Sequence, residues 1–369
     1  MEEPVRRARR PATEPSEEEI KKASDAVEEE YEEEPPQPFC FKDTDVVLST
    51  GSTLLNLAAF GDRTRGGGLP GGIMVEIYSQ SGLGKTALAS EICGCAQRDG
   101  GDIRFVDPEG RLDRAYAQIY GVSIPKDKYA RLHLVSDIIE DFMAWDPPNK
   151  NAINVYVTDS LAALSTNLEM DKEDKMGMRR AKELSTLFRK GSIQIAEGHK
   201  LMICTNQLRE GDKGTFTPGG KAVGYWASIR IELTRITQYT KGIVNKDHEI
   251  MESITVGSKN RSVEQVIGIR SMAKITKNSC DSPFRTAPVA LVFNYGIDDI
   301  RENLQYVKDM TGNTSFLCPD GKSYVSLKDA IRYVEQNQLE EELQEEVIDI
   351  WEGISKAFKE KTPREPKRR

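Results

Sequence analysis

Histidine is scarce in this chain: His133, His199 and His248 are the three among 369 residues, and none pairs with another ligand at a metal-type spacing. That argues against a histidine-built metal centre. Cysteine is sparse too. Cys40, Cys93, Cys95, Cys204, Cys280 and Cys318 are scattered, and the one close pair, Cys93 and Cys95, has no histidine beside it. A disulfide scaffold and a structural zinc site are both poorly supported, and reduced, mostly buried thiols in a reducing compartment are expected. No window approaches 18 consecutive apolar residues, which excludes a membrane-spanning helix. No apolar stretch follows the basic cluster Arg6–Arg10, so no secretory leader is expected and a cytoplasmic protein is.

Charge is present but unevenly placed. The net value is −8, yet residues 1–36 alone hold 13 Asp/Glu against 6 Lys/Arg. The last 14 residues hold seven Lys/Arg against two Glu. The body between is almost neutral, so the acidic total does not exclude a nucleic-acid partner; local patches decide that. Residues 1–36 are Glu- and Pro-rich with few large apolar residues and cannot bury enough surface to offset their ordering entropy. They are expected to be a disordered acidic tail, and residues 356–369 a disordered basic one.

Between the tails, short apolar runs alternate with helical patterns. Strands are expected at 74–78, 103–106, 153–158, 201–205, 228–233, 267–275 and 289–293, and helices at 85–98, 112–120, 135–145 and 178–197. The alternation predicts an α/β fold with a mostly parallel central sheet and helices on both faces. Residues 297–355 read as a small helical domain, with helices at 326–335 and 339–355 and Ser326 as an N-cap.

The strongest local signal is the run from Met74 to Thr86, an apolar strand leading through SQSGLGKT into a helix. Gly84, Lys85 and Thr86 fit the phosphate-loop pattern GxxxxGK[ST], with Ser79 in place of the first glycine. Such a loop needs inward-facing N–H groups, a lysine for the β/γ-phosphates and a hydroxyl for Mg²⁺. Lys85 and Thr86 supply the last two; Ser79 is small enough for the turn, and Gly82 adds freedom. A second apolar strand ends in Asp159, placed to hold the Mg²⁺ shell beside Thr86. Hydrolysis also needs a carboxylate that orients water, and composition does not separate Glu109 from Asp107 for that task. A further strand ends in Asn206 and Gln207, polar groups suited to sensing a γ-phosphate.

These four strand-end motifs, in this order, resemble the RecA family of homologous-recombination ATPases, over roughly residues 43–296. The supporting pieces are numerous: Ser49 to Ser52, Gly68 to Gly72, DPEGRLDRAYAQIYGV at 107–122, TDSLAAL at 158–164, TNQLR at 205–209 and GGKAVGYWASIRIELTR at 219–235. The resemblance implies a RecA-type core at 70–296 with ATP and Mg²⁺ as cofactors, preceded by an N-terminal oligomerisation segment at 37–69. By the same match Glu109 is the catalytic glutamate, Asp113 and Tyr116 contact the adenine, Gln207 couples the γ-phosphate to DNA, and Lys277 reaches the γ-phosphate of a neighbouring subunit.

Two mobile DNA-binding loops are implied at about 167–176 and 210–221. Met176 and Gly177 match a family Met-Gly pair of the first, and Arg179 and Arg180 follow at the start of a helix; Lys213, Phe216, Gly219, Gly220 and Lys221 belong to the second, with Arg209 just before it, and all are expected to bind DNA. Basic residues there meet phosphates, and an apolar side chain can wedge between base steps. The implied activity is DNA-dependent ATP hydrolysis that drives filament assembly on single-stranded DNA, pairing with homologous duplex and strand exchange. Single-strand-binding and loading proteins are expected as partners, and a membrane is not. The chain departs from the pattern at Ser79, at Ser279 in place of a second trans-acting lysine, at Gly224 where a nucleotide-sensing lysine is common, and in a shorter second loop. The stretch Asn294 to Asp298 and the helical end are at least as similar to phage recombinases as to bacterial ones. A ring-shaped motor on the same core and a non-hydrolysing recombination mediator are the rival readings.

Overall fold

The computed structural model describes residues 46–166, 178–197, 199–211, 214–218, 220–236, 238–240, 243–245, 249–256 and 261–361. A short hairpin, β1 (Val47–Leu48) with β2 (Leu69–Pro70), brackets helix α1 (Thr53–Phe60). Ser52 caps α1 by accepting from Leu55 N–H. Then follow β3 (Ile73–Ser79), α2 (Lys85–Arg98), β4 (Ile103–Val106), α3 (Arg114–Ile119), β5 (Tyr129–Ala130), α4 (Val135–Ala144) and β6 (Asn154–Thr158). Helix α5 (Met178–Glu197), β7 (Lys200–Gln207), the hairpin β8 (Arg209–Gly211) with β9 (Gly214–Phe216), α6 (Gly220–Trp226) and β10 (Ile229–Arg235) come next. The hairpin β11 (Gln238–Thr240) with β12 (Ile243–Asn245) precedes β13 (Glu249–Val256), β14 (Arg261–Asn278), β15 (Thr286–Val292) and β16 (Gly296–Ile297). Helix α7 (Asp299–Thr311), a two-stranded turn, α8 (Leu327–Asn337) and α9 (Glu340–Lys361) close the chain.

Among the described residues ten strands make the central sheet, in the order β16-β15-β14-β10-β3-β7-β6-β4-β5, with β13 paired to β14. Neighbours from β10 to β5 are parallel, and those from β10 through β14 and β15 to β16 are antiparallel. This is the mostly parallel α/β sheet the alternation predicts. Strand β3 shows why both faces are covered. Ile73, Val75 and Ile77 join one apolar cluster with α1, α2 and the C-terminal helices, while Met74 joins a second with α4, α5 and α6. Successive side chains on a strand point to opposite faces, so a strand apolar at nearly every position needs two layers of helices. The first cluster runs without a break from Leu48 to Ile348, so α7–α9 share the core of the sheet. Asp299 ties them to the start of α1, accepting from Thr53 N at 2.8 Å and Thr53 Oγ1 at 2.6 Å. Cys93, Cys95, Cys204 and Cys318 are buried.

Several expectations need correction. The helix placed at 112–120 starts only at Arg114, because Asp113 is its N-cap and accepts from Tyr116 N–H. The strand placed at 267–275 extends over 18 residues, and β13, which the reading omitted, pairs along its first half. The loop placed at 210–221 contains the hairpin β8–β9 and the first turn of α6. The tail expected to be disordered from 356 is helical to Lys361, since Leu343, Val347 and Ile348 anchor α9 and the pattern continues past them. Ser326 caps α8 as foreseen, accepting from Asp329 N–H. The acidic tail, the first DNA loop at 167–176 and residues 362–369 lie outside the described residues.

Candidate functional site

The phosphate loop links the C-terminal edge of β3 to α2. Gly82 and Gly84 both take positive φ, 78° and 89°, and nothing lies within 4 Å of where a Cβ on Gly82 would stand. That leaves an open cradle facing the first turn of α2, whose N–H groups lack intrahelical partners. Ser79 is fully buried beneath this cradle, outside the cavity. Its hydroxyl donates to Gln80 O at 2.6 Å, and the Lys85 ammonium donates to Ser79 Oγ at 3.1 Å and Gln80 O at 3.1 Å. Ser79 therefore positions Lys85 and does not line the cavity. Burial lowers the Lys85 pKa, and the carboxylates of Asp159 and Glu109 oppose that shift.

The cavity has a volume of about 270 Å³ and is lined by Gly82, Gly84, Lys85, Thr86, Glu109, Tyr116, Asp159 and Gln207, among others. Asp159 follows β6 and receives hydrogen bonds from the hydroxyls of Thr205 and Thr86. Burial pushes its carboxyl pKa up, and those two hydrogen bonds oppose the rise. A hydroxyl and a carboxylate in contact beside a phosphate cradle are hard oxygen donors, the set that suits Mg²⁺ completed by phosphate oxygens. Among the described residues no group of three or more His, Cys, Asp or Glu could hold a metal unaided. The donors present thus fit a magnesium nucleotide better than a free-standing metal site.

The structure separates Glu109 from Asp107. Asp107 is 2% exposed. It accepts from Gly110 N at 2.7 Å, Leu112 N at 2.8 Å and the Tyr129 hydroxyl at 3.0 Å. Its lone pairs hold the acidic loop in shape. Asp107 and Glu109 both line the cavity, but the contacts of Glu109 are made by side chains. Its Oε1 accepts from Ser160 Oγ at 2.9 Å and from Gln207 Nε2 at 3.4 Å, and its Oε2 pairs with Arg111 at 2.8 Å. Between them Gly110 sits at φ +64°, and a Cβ there would lie 2.4 Å from a guanidinium nitrogen of Arg131. That left-handed turn favours glycine. Ser160, Tyr129, Arg111 and Arg131 were not singled out by sequence; the i, i+2 spacing of Arg111 from Glu109 was the available signal.

A second cavity of about 470 Å³ adjoins, lined by Thr86, Arg111, Asp113, Tyr116 and Asn294 among others. The Asp113 carboxylate is engaged in capping α3, and the Tyr116 hydroxyl accepts from Tyr120 at 2.8 Å. Asn206, expected beside Gln207 in sensing phosphate, is fully buried and serves another purpose. Its Nδ2 donates to Glu76 Oε1 at 2.9 Å and Pro218 O at 3.0 Å, while Glu76 pairs with Arg230 at 2.5 Å. This network clamps the chain after β9 to β3, β7 and β10.

Arg209 and Phe216 face each other across the hairpin β8–β9, two residues beyond Gln207, and Phe216 is 52% exposed. Arg179 and Arg180 lie in α5, and Gly220 and Lys221 open α6. Met176, Gly177, Lys213 and Gly219 lie outside the described residues. Lys277 is not brought to the cavity. It pairs with Arg230 in register, whereas Ser79 pairs with Leu233, so it stands toward the opposite end of the sheet. There its ammonium donates to Gly224 O at 3.0 Å and Tyr225 O at 2.8 Å.

With that geometry in place, the family model for the RecA N-terminal domain matches residues 39–298. The chain belongs to the RecA family. Protein RecA of Synechocystis is 30% identical over 311 residues, covering 79% of this chain and 77% of its own length. The mitochondrial DNA repair protein recA homolog 3 of Arabidopsis thaliana is 32% identical over 316 residues, covering 80% and 65%. Protein RecA of Thermus thermophilus is 32% identical over 265 residues, covering 69% of each chain. Among the described residues no helix is long and apolar enough to cross a membrane.

Proposed function

We propose that this chain is an ATP-dependent DNA recombinase, assembling as a helical filament on single-stranded DNA and catalysing pairing and strand exchange with homologous duplex. The observation that carries the reading is the meeting of Lys85, Thr86, Asp159, Glu109 and Gln207 around one cavity, with Gln207 at the foot of the hairpin bearing Arg209 and Phe216. Lys85 and the first turn of α2 bind phosphate oxygens. Thr86 and Asp159 hold Mg²⁺, which offsets charge building up on those oxygens during phosphoryl transfer. Glu109 orients water, and Tyr116 and Asp113 border the base. Gln207 responds to the terminal phosphate and transmits its presence to the hairpin, so DNA and nucleotide strengthen each other's binding reciprocally. Lys277, remote from its own cavity, completes the cavity of the next subunit.

The test is ATP hydrolysis with and without single-stranded DNA, run beside Glu109→Gln. DNA-stimulated hydrolysis that disappears in the variant supports the reading. Hydrolysis indifferent to DNA shifts the weight to a ring-shaped motor, and ATP binding without hydrolysis to a mediator.

A further inference from the structure

One cation at the nucleotide cavity is used by none of these roles. Arg111 lines both the phosphate cavity and the adjoining one, its side chain is 77% exposed, and Glu109 is its ion-pair partner among the described residues. Glu109 does not depend on it for position, because Ser160 and Gln207 already fix the other carboxylate oxygen. An ion pair whose cation is largely exposed contributes little, so holding Glu109 is a weak account of the residue. The backbone aims it all the same. Gly110 takes a left-handed conformation that favours glycine, with the Arg131 guanidinium packed against it, and that turn delivers Glu109 and Arg111 to the same cavity. A guanidinium carries five donors in a planar fork, and the contact with Glu109 is made through Nη1. The fork matches a phosphate, which can accept from two of its nitrogens, whereas the Glu109 carboxylate, already accepting from Ser160 and Gln207, takes one.

We propose that Arg111 is a phosphate-binding residue of this chain's own site, one that shares its guanidinium between Glu109 and the terminal phosphate of ATP. The proposal rests on the ATP-site reading above and deepens it. Arg111 reads the third phosphate in cis, and by drawing away from Glu109 Oε2 toward that phosphate it frees a carboxylate oxygen for water. ADP has no group at that position and leaves Arg111 on Glu109.

The test uses the full chain and fluorescence-detected binding of two Mg²⁺ nucleotides, ADP and the non-hydrolysable β,γ-imido analogue of ATP. Arg111→Gln is expected to weaken the ATP analogue about ten-fold, as loss of a charge-assisted hydrogen bond does, and ADP by no more than about two-fold. Arg111→Lys, which keeps the charge without the fork, is expected to recover part of the loss. Unchanged affinity for both nucleotides in Arg111→Gln overturns the proposal. So does an equal loss for both, which would place the side chain on the base or the inner phosphates. Lys85→Ala separates this from the underlying reading: if it binds both nucleotides as the unaltered chain does, the ATP site itself is misassigned.

Discussion

The side-chain amide of Gln207 donates to the Glu109 carboxylate at 3.4 Å, joining the end of β7 to the loop after β4. One residue further, Leu208 N–H donates to Ser79 O at 2.9 Å, fixing the chain just before it enters the hairpin. Gln207 is therefore the shortest covalent route from the cavity to Arg209 and Phe216. Gln207→Ala should leave basal hydrolysis within a few-fold of the unaltered chain and abolish its stimulation by single-stranded DNA. Steady-state rates with and without DNA check this, and retained stimulation would remove Gln207 from the coupling.

Asp107 and Glu109 should part company under conservative substitution. Asp107→Asn puts an NH₂ where buried donors converge, at a cost of about 1–3 kcal/mol. For a domain of this size that lowers the melting temperature by a few degrees. Glu109→Gln should melt within about a degree of the unaltered chain yet lose hydrolysis. Paired melts and rate assays decide it; a destabilised Glu109→Gln would mean that carboxylate is structural too.

Glu91, on α2, has its carboxyl pKa raised to about 7, chiefly by burial and further by Asp299 of α7. Arg98 on its own helix and the Ile297 N–H oppose the rise. The folded chain thus holds this proton in a range where the unfolded chain has released it. Stability falls as pH climbs from the ordinary carboxyl range through about 7, and the full penalty applies above it. Glu91→Gln should gain more melting temperature over the unaltered chain at pH 8 than at pH 5. An identical offset at both values would show that Glu91 titrates normally.

The hairpin offers two contacts that differ in kind. Phe216→Ala should weaken single-stranded DNA binding by roughly the 1–3 kcal/mol of a stacked base, with the salt dependence unchanged. Arg209→Ala should lower affinity and also reduce the salt slope by about one phosphate's worth. Titrations at several salt concentrations distinguish them, and a Phe216 variant with native affinity would take the aromatic out of the interface.

What could be read from residues alone was whatever the backbone pattern carries. The apolar runs at Met74, Ile103, Ile153 and Leu201 sit in the parallel half of the sheet, buried on both faces, and each became a strand. β13 was missed because among the described residues it pairs with β14 alone, and it mixes Met251 and Ile254, both exposed, with Glu252 and Ser253. Such an edge carries no burial signal. The phosphate loop was legible, but that the Ser79 hydroxyl lies underneath it and holds Lys85 was not. Asp107 and Glu109 differ only in which partners surround them. That depends on Tyr129, Ser160 and Gln207 arriving from distant parts of the chain.

The placement of Lys277 carries a further consequence. Cavity and lysine occupy opposite ends of one sheet, so a contact that unites them across subunits joins two different surfaces and has a direction. Such a contact propagates as an open polymer unless its rotation happens to close. In an open polymer one terminal subunit always has a cavity with no donor. Short assemblies would then turn over less ATP per protomer than long ones. Specific activity would climb with polymer length toward a plateau, so turnover per protomer would gauge the length of the assembly.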